Sequence, residues 1–223
     1  MCISPYPRPV TQLRSVSLPE RRSQAERSAA TRARLLDATL ECLDDLGYAR
    51  TSTPEIARRA GLSRGAQLHH FPTKAELVTS AVEYLFARRR EEFLTAFRSR
   101  APGQDPTDAA IDILWSMVSS PSFHAWLELA VAARTDAELR APVRALTARL
   151  LVIIEETFRD LFPSPAGSNP FYEVAPRFAF AVLDGLALQR INAGDADAHT
   201  PLLQALKGLA RLVLPPATID PTT

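Results

Sequence analysis

From residue 28 onward, apolar residues recur at three- and four-residue intervals, the spacing of one buried helix face. Leu35, Thr39, Cys42, Leu43 and Leu46 make the first stripe, and Gly47 marks its C-terminal cap. Ser52 then opens an S-x-x-E sequence: the serine caps a helix, Glu55 reaches back, and Pro54 sits in the first turn, where a missing N–H costs nothing. This short helix runs through Ile56 and Ala57 to Ala60. Gly61 breaks it, Leu62 packs inward, and Ser63 caps a second short helix from Arg64 to about His70. Thr73 with Glu76 is another capping box, opening a long helix with Val78, Val82, Leu85, Phe86, Phe93 and Phe97 on its buried side. After a linker over 101–106, helices are predicted near 107–119, 122–134, 137–162, 171–193 and 201–213. With no strand alternation and no internal repeat, the expected fold is all-α, with about nine helices. Three stand at the N-terminus, one connects, and about five follow.

The expected organisation is a disordered arm over 1–24, where Pro, Ser and Arg mix without periodicity, a DNA-binding unit over 25–74, and a larger body over 75–223 that begins with the connecting helix 75–100. Charge supports the division. Residues 1–74 carry a net +5 and residues 75–223 a net −4 within an overall +1, so a polyanion suits the N-terminal end. Arg8, Arg14, Arg21 and Arg22 of the arm either touch DNA phosphates or belong to a solvated tail. The 223 residues suffice for a real core, and no run of about 18 apolar residues predicts a membrane span. No secretory signal is expected at the N-terminus. Two cysteines, Cys2 and Cys42, fit a reduced, cytoplasmic protein without disulfides.

Two short helices joined by a glycine-containing turn form a helix-turn-helix pattern. Its second helix enters the DNA major groove, which favours a small, polar first turn. Arg64, Gly65 and Ala66 supply it, with Arg64 able to reach guanine or a phosphate. Free N–H groups at the helix starts capped by Ser52 and Ser63 favour phosphate. The stretch TSTPEIARRAGLSRGAQLHHFPTKAELV resembles the DNA-binding domain of the TetR/AcrR family of bacterial transcriptional regulators. Thr51, Ser52, Ile56, Ala57, Ala60 and Gly61 stand at the family's spacing, as do Leu62, Ser63, Gly65, His70, Phe71, Lys74 and Leu77. LLDATLECLDDLGY resembles its first helix, ending in Gly47 and Tyr48, so the resemblance covers about residues 32–78.

That resemblance implies a near-palindromic double-stranded operator as partner. It implies Thr51, Ser52, Ser63, the helix from Arg64 to His70 and Lys74 as the DNA-contacting set, with His70 on a phosphate next to Lys74 and His69 in the groove. Two positions depart from the family. Gln67 stands where an aliphatic or aromatic residue is usual, and is either exposed enough to read adenine or a surface residue of the helix. Leu68 replaces a phosphate-contacting tyrosine, and either loses that anchor or packs on a thymine methyl. Adjacent helical residues point about 100° apart, so His69 and His70 cannot chelate one metal, and no Cys or carboxylate completes a site. No metal, no cofactor and no catalytic triad or dyad is expected, which argues against an enzyme.

For the body, the resemblance implies dimerisation and a small-molecule effector. The segment Phe178–Ile191 is apolar nearly all round, with small residues Ala181, Gly185 and Ala187, and so should be buried on two sides. Leu202, Leu206, Leu209 and Val213 form a second stripe. The expected homodimer interface is Ala181, Gly185, Leu188, Leu202, Leu206, Leu209 and Val213, the alternative being that both stripes fill a monomer's core. The candidate effector pocket is lined by Trp115, Phe123, His124, Trp126, Leu127 and Phe158, with Phe178 and Phe180, unless these aromatics are plain core. His124 and Glu128, four apart, either offer a ligand a polar handle or pair with each other. The function expected is a repressor released from its operator by a small, largely apolar effector. The alternative is an effector-independent dimer acting through a protein partner, and a cavity in the body separates the two.

Overall fold

A computed structural model describes residues 23–163, 169–192 and 198–214. All but the last two residues of the arm expected over 1–24 lie outside them. Those two belong to the start of the first helix. Helix α1 (Gln24–Arg50) starts four residues before Ser28 because Ser23 forms a capping box with Glu26, side chain to backbone in both directions. Gly47, at φ 71° and ψ 169°, kinks α1 before its last turn. Next come α2 (Thr53–Arg59), α3 (Arg64–His70) and the long α4 (Lys74–Arg98), each capped by the expected Ser52, Ser63 or Thr73 side chain. The body contains α5 (Pro106–Val118), α6 (Pro121–Ala132), α7 (Ala137–Leu161), α8 (Ala175–Asn192) and α9 (Thr200–Val213). Helix α8 begins later than residue 171, with Pro176 in its first turn. Among the described residues the architecture is all-α, and no helix there is long and apolar enough to cross a membrane.

Two apolar cores share α4. One face of its N-terminal half gives Leu77, Ala81 and Leu85 to a cluster with Leu35, Leu36 and Cys42 of α1, Ile56 of α2 and Phe71 beyond α3. The adjacent face, about 100° round the helix, gives Val78, Val82 and Phe86 to the larger core of the body, with Ile111, Trp126, Leu139, Leu183 and Leu206. Residues three and four apart lie on one helix face, so two stripes offset by one residue along α4 serve two neighbouring cores. Leu206 is 4% exposed inside this second core, which removes it from the expected dimer face. Its neighbours on α9, Leu202 and Leu209, are half-exposed, as is Leu188 on α8, and Leu209 and Val213 also line the cavity described below.

Candidate DNA-binding helix and effector cavity

The turn between α2 and α3 is built by backbone geometry. Gly61, at φ 61°, closes α2 with bonds from its own N–H to the Arg58 carbonyl and from the Leu62 N–H to that of Ala57. Arg34 of α1 donates through Nη2 to the Ala60 carbonyl (2.5 Å) and the Gly61 carbonyl (3.2 Å), so the first helix holds the turn from behind. Ser63 then accepts from the Ala66 N–H and starts α3. Arg64, Gly65, Leu68 and His69 are exposed on α3, with Ala66 and His70 partly so, forming a continuous face that can lie in a groove. The two histidine rings meet edge to face, 5.3 Å between centroids. Among the described residues no group of three or more His, Cys, Asp or Glu could hold a metal ion.

Three expected DNA contacts are placed elsewhere. Gln67 is fully buried rather than on the surface: its Nε2 donates to the Phe71 carbonyl at 2.6 Å, closing the end of α3, while its Oε1 has no partner. Thr51 is buried too, its hydroxyl donating to the Gly47 carbonyl at 2.7 Å. Neither can reach a base. Lys74, half-buried, turns inward: its Nζ donates to the Tyr48 carbonyl at 2.8 Å and lies 4.0 Å from the centre of the Tyr48 ring. Burial pushes the Lys74 ammonium below its ordinary pKa, with Asp136 working the other way.

Tyr48 is therefore a junction. Its N–H donates to Glu128 of α6 at 2.6 Å, and its hydroxyl to Asp136, the cap of α7, at 3.2 Å. Burial and then the Asp136 charge push the phenol up to about 12. Glu128 thus serves neither a ligand nor His124, as its spacing had suggested; its acceptor faces a backbone amide 80 positions away.

Glu55 also departs from expectation. Ser52 accepts from the Glu55 N–H, but the Glu55 carboxylate accepts from Arg58 (2.6 Å) and Arg59 (3.0 Å) rather than reaching back, and Arg59 also donates to Asp45 of α1 (2.5 Å). These hydrogen bonds hold the Glu55 carboxyl down at about 2 against an ordinary 4.5. A depressed carboxylate stabilises the fold above its unfolded pKa and loses that contribution as pH falls through the folded one. Stability should therefore drop between about pH 4.5 and 2. Glu55→Gln should flatten this part of a denaturation-midpoint profile, and an unchanged slope would mean the arginines contribute nothing there.

The body holds a half-open cavity of about 780 Å³ lined by residues of α4 to α9. Phe123, Phe158, Phe178 and Phe180 of the expected set line it. Trp115, His124, Trp126 and Leu127 do not. Trp115 packs on His199, 5.7 Å between centroids, and Trp126 meets Phe86 edge to face in the core at 5.4 Å. Helical periodicity identified their apolar stripe but not which neighbour it meets. Phe86 and Phe93 of α4, expected as core, also face the cavity, and the sequence signal for it was Arg89 and Arg90 interrupting that stripe.

The profile described as bacterial regulatory proteins of the tetR family matches residues 35–81. The chain is 30% identical over 193 residues to the HTH-type transcriptional regulator CymR of Pseudomonas putida, covering 86% of this chain and 95% of that protein. It superposes on a transcriptional regulator from Rhodococcus sp. Rha1 with a TM-score of 0.58 at 25% identity, over 85% of this chain and 98% of that one. It also superposes on the transcriptional regulator FadR of Bacillus subtilis in complex with stearoyl-CoA, with a TM-score of 0.58 at 17% identity over 79% of this chain and 96% of that one. A capped helix-turn-helix set on a larger helical body, together with similarity along nearly the whole of a known regulator, identifies the chain as a member of the TetR family: a DNA-binding transcriptional regulator and not an enzyme.

Proposed function

We propose that the protein is a homodimeric repressor that leaves its operator when a small, largely apolar effector enters the cavity beside α4. The observation that carries this reading is the position of α4. Its C-terminal half forms a wall of the 780 Å³ cavity through Phe86 and Phe93, and its first residue, Lys74, is bonded to Tyr48 at the root of the DNA-binding unit. A volume of this order suits a drug-sized molecule. FadR, of the same fold, is in complex with stearoyl-CoA, which supports a ligand in the body. Dimerisation is supported by the outer face of α8 and α9, where Ala181 and Leu188 stand exposed beside Leu202, Leu209 and Leu212, the last 83% exposed. Apolar area of this kind on neighbouring helices suits a four-helix bundle of two chains. Gly185 and Val213, partly exposed, belong to the same proposed interface.

Two recognition helices in a dimer must match successive major grooves about 34–36 Å apart, so a shift of a few Å at α4 unfits one half-site. The effector acts only through its preference for the DNA-incompetent state, and a 100-fold preference corresponds to about 2.7 kcal/mol of coupling. The test starts from the DNA protected upstream of the protein's own and neighbouring genes. Fluorescence anisotropy on that site should give two chains per palindrome, and compounds that raise the melting temperature should also weaken operator binding. Stabilising compounds that leave operator affinity unchanged would refute the antagonism.

A further inference from the structure

Four threonines in these helices satisfy their hydroxyls in the same way: Thr31, Thr39, Thr79 and Thr147 each donate to the carbonyl four residues back, at 2.9, 2.7, 2.7 and 2.9 Å. Thr157 on α7 does not. It is 8% exposed, lines the cavity, and its Oγ1 has no hydrogen-bond partner. A buried hydroxyl is normally paired, so one without a partner, in a residue that lines the cavity, can donate to an acceptor brought beside it. The charged side chains of the wall all carry the same sign: Arg89 and Arg90 of α4 and Arg177 of α8, while among the described residues no Asp or Glu lines it.

The three arginines are not equally available. Arg89 donates to Ser122 at 2.7 Å, to Glu92 at 2.8 Å and to Ser120 at 3.3 Å, and Arg177 is paired with Glu155. Arg90 reaches only two carboxylates, Glu91 at 3.1 Å and Asp160 at 3.7 Å, both about two-thirds exposed. Exposed pairs of this kind are weak and readily exchanged. Asp160 lies three residues beyond Thr157, on the next turn of α7, so the Arg90 guanidinium and the Thr157 hydroxyl stand at the same end of the cavity.

We propose that the effector is an amphipathic monoanion, a carboxylic acid on an apolar body, whose head accepts a hydrogen bond from Thr157 Oγ1 and pairs with Arg90. Its body lies among Phe86, Phe93, Phe123 and Phe180. The assignment rests on the cavity being the effector site. Two donors lining one cavity, one of them cationic, favour a charged acceptor, because charge-assisted bonds are about twice as strong as neutral ones. Among the residues that line the cavity, a cationic head would find only like charge. Such a ligand bridges α7 to α4, the helix that starts at Lys74.

The experiment is calorimetric titration of the full chain with dodecanoic acid, dodecan-1-ol and dodecylamine below their micellar concentrations. These share one apolar body and differ in the head. The acid should bind about tenfold tighter than either of the others. Arg90→Gln should bring the acid level with the alcohol. Thr157→Val, a change of equal shape that removes an unpartnered hydroxyl, should keep the fold and weaken acid and alcohol alike. Equal binding of all three, or tightest binding of the amine, overturns the anion assignment and leaves the cavity as an effector site. Acid binding unmoved by both variants overturns the assignment to Thr157 and Arg90. If none of the three binds, the effector-site reading itself fails, and this inference with it.

Discussion

Gly47→Val destabilises the folded chain by roughly 2–4 kcal/mol, combining a non-glycine residue in left-handed backbone, about 1–3 kcal/mol, with the loss of one hydrogen bond, about 1 kcal/mol. Gly47 has φ 71°, which a β-branched residue adopts only under strain. A Cβ there would stand 2.7 Å from Glu128 Oε2 and 3.1 Å from Oε1. The carboxylate is the mobile end of its side chain, but it is held by the Tyr48 N–H at 2.6 Å, so moving it aside breaks the bond that ties α1 to α6. Gly103 provides the control, with φ 83° and open space for 4 Å around the point a Cβ would occupy. Gly103→Val carries backbone strain alone, about 1–3 kcal/mol, and the difference between the two variants in urea denaturation reads the Glu128 contact. Equal losses would mean that Glu128 contributes nothing at this joint.

Arg64→Ala should lower operator affinity by about 2–6 kcal/mol, since the proposed dimer would lose the contact twice at about 1–3 kcal/mol each. Arg64 is exposed on the first turn of α3, whereas Thr51 and Gln67 are buried and Lys74 is committed to Tyr48, so few other side chains can substitute for it. If Arg64 reads a base, the variant also loses preference for the operator over random DNA at equal salt. If it touches only a phosphate, both affinities fall together and the plot of log affinity against log salt becomes shallower by about one unit per contact. Anisotropy titrations on operator and random duplexes at several salt concentrations separate the two. An affinity within about twofold of the unmodified protein on both duplexes would remove Arg64 from the interface.

The helices and their caps were legible because their signals are local. Ser52, Ser63 and Thr73 cap as read, and Gly47 and Gly61 break the chain where their positive φ is needed. The signal at Ser23 and Glu26 was equally local, but it lay in a stretch whose prolines and arginines suggested an arm. What the sequence hid depends on distant partners. Glutamine is usually a surface residue, and only the fold reveals that Gln67 closes the carbonyl of Phe71 inside a core. Glu128 lies four residues from His124, yet its partner is an amide in another helix. The aromatics of α5 and α6 were read as one wall, but packing turned Trp115 toward His199 and Trp126 toward Phe86, leaving Phe123 on the cavity.

The division of α4 between two cores bears on how such a regulator can be recombined. A head excised after residue 74 would keep its recognition helix but leave behind Leu77, Ala81 and Leu85, which complete the cluster around Leu35, Leu36 and Ile56. Grafting onto another body therefore requires a crossover beyond Leu85, inside the helix and past the last residue the head's core uses. On the adjacent face of the same turns, Val78, Val82 and Phe86 must then suit the new body. Only chimeras whose foreign body accepts these three side chains would inherit a working head, so the interchangeable unit is a head together with half a helix.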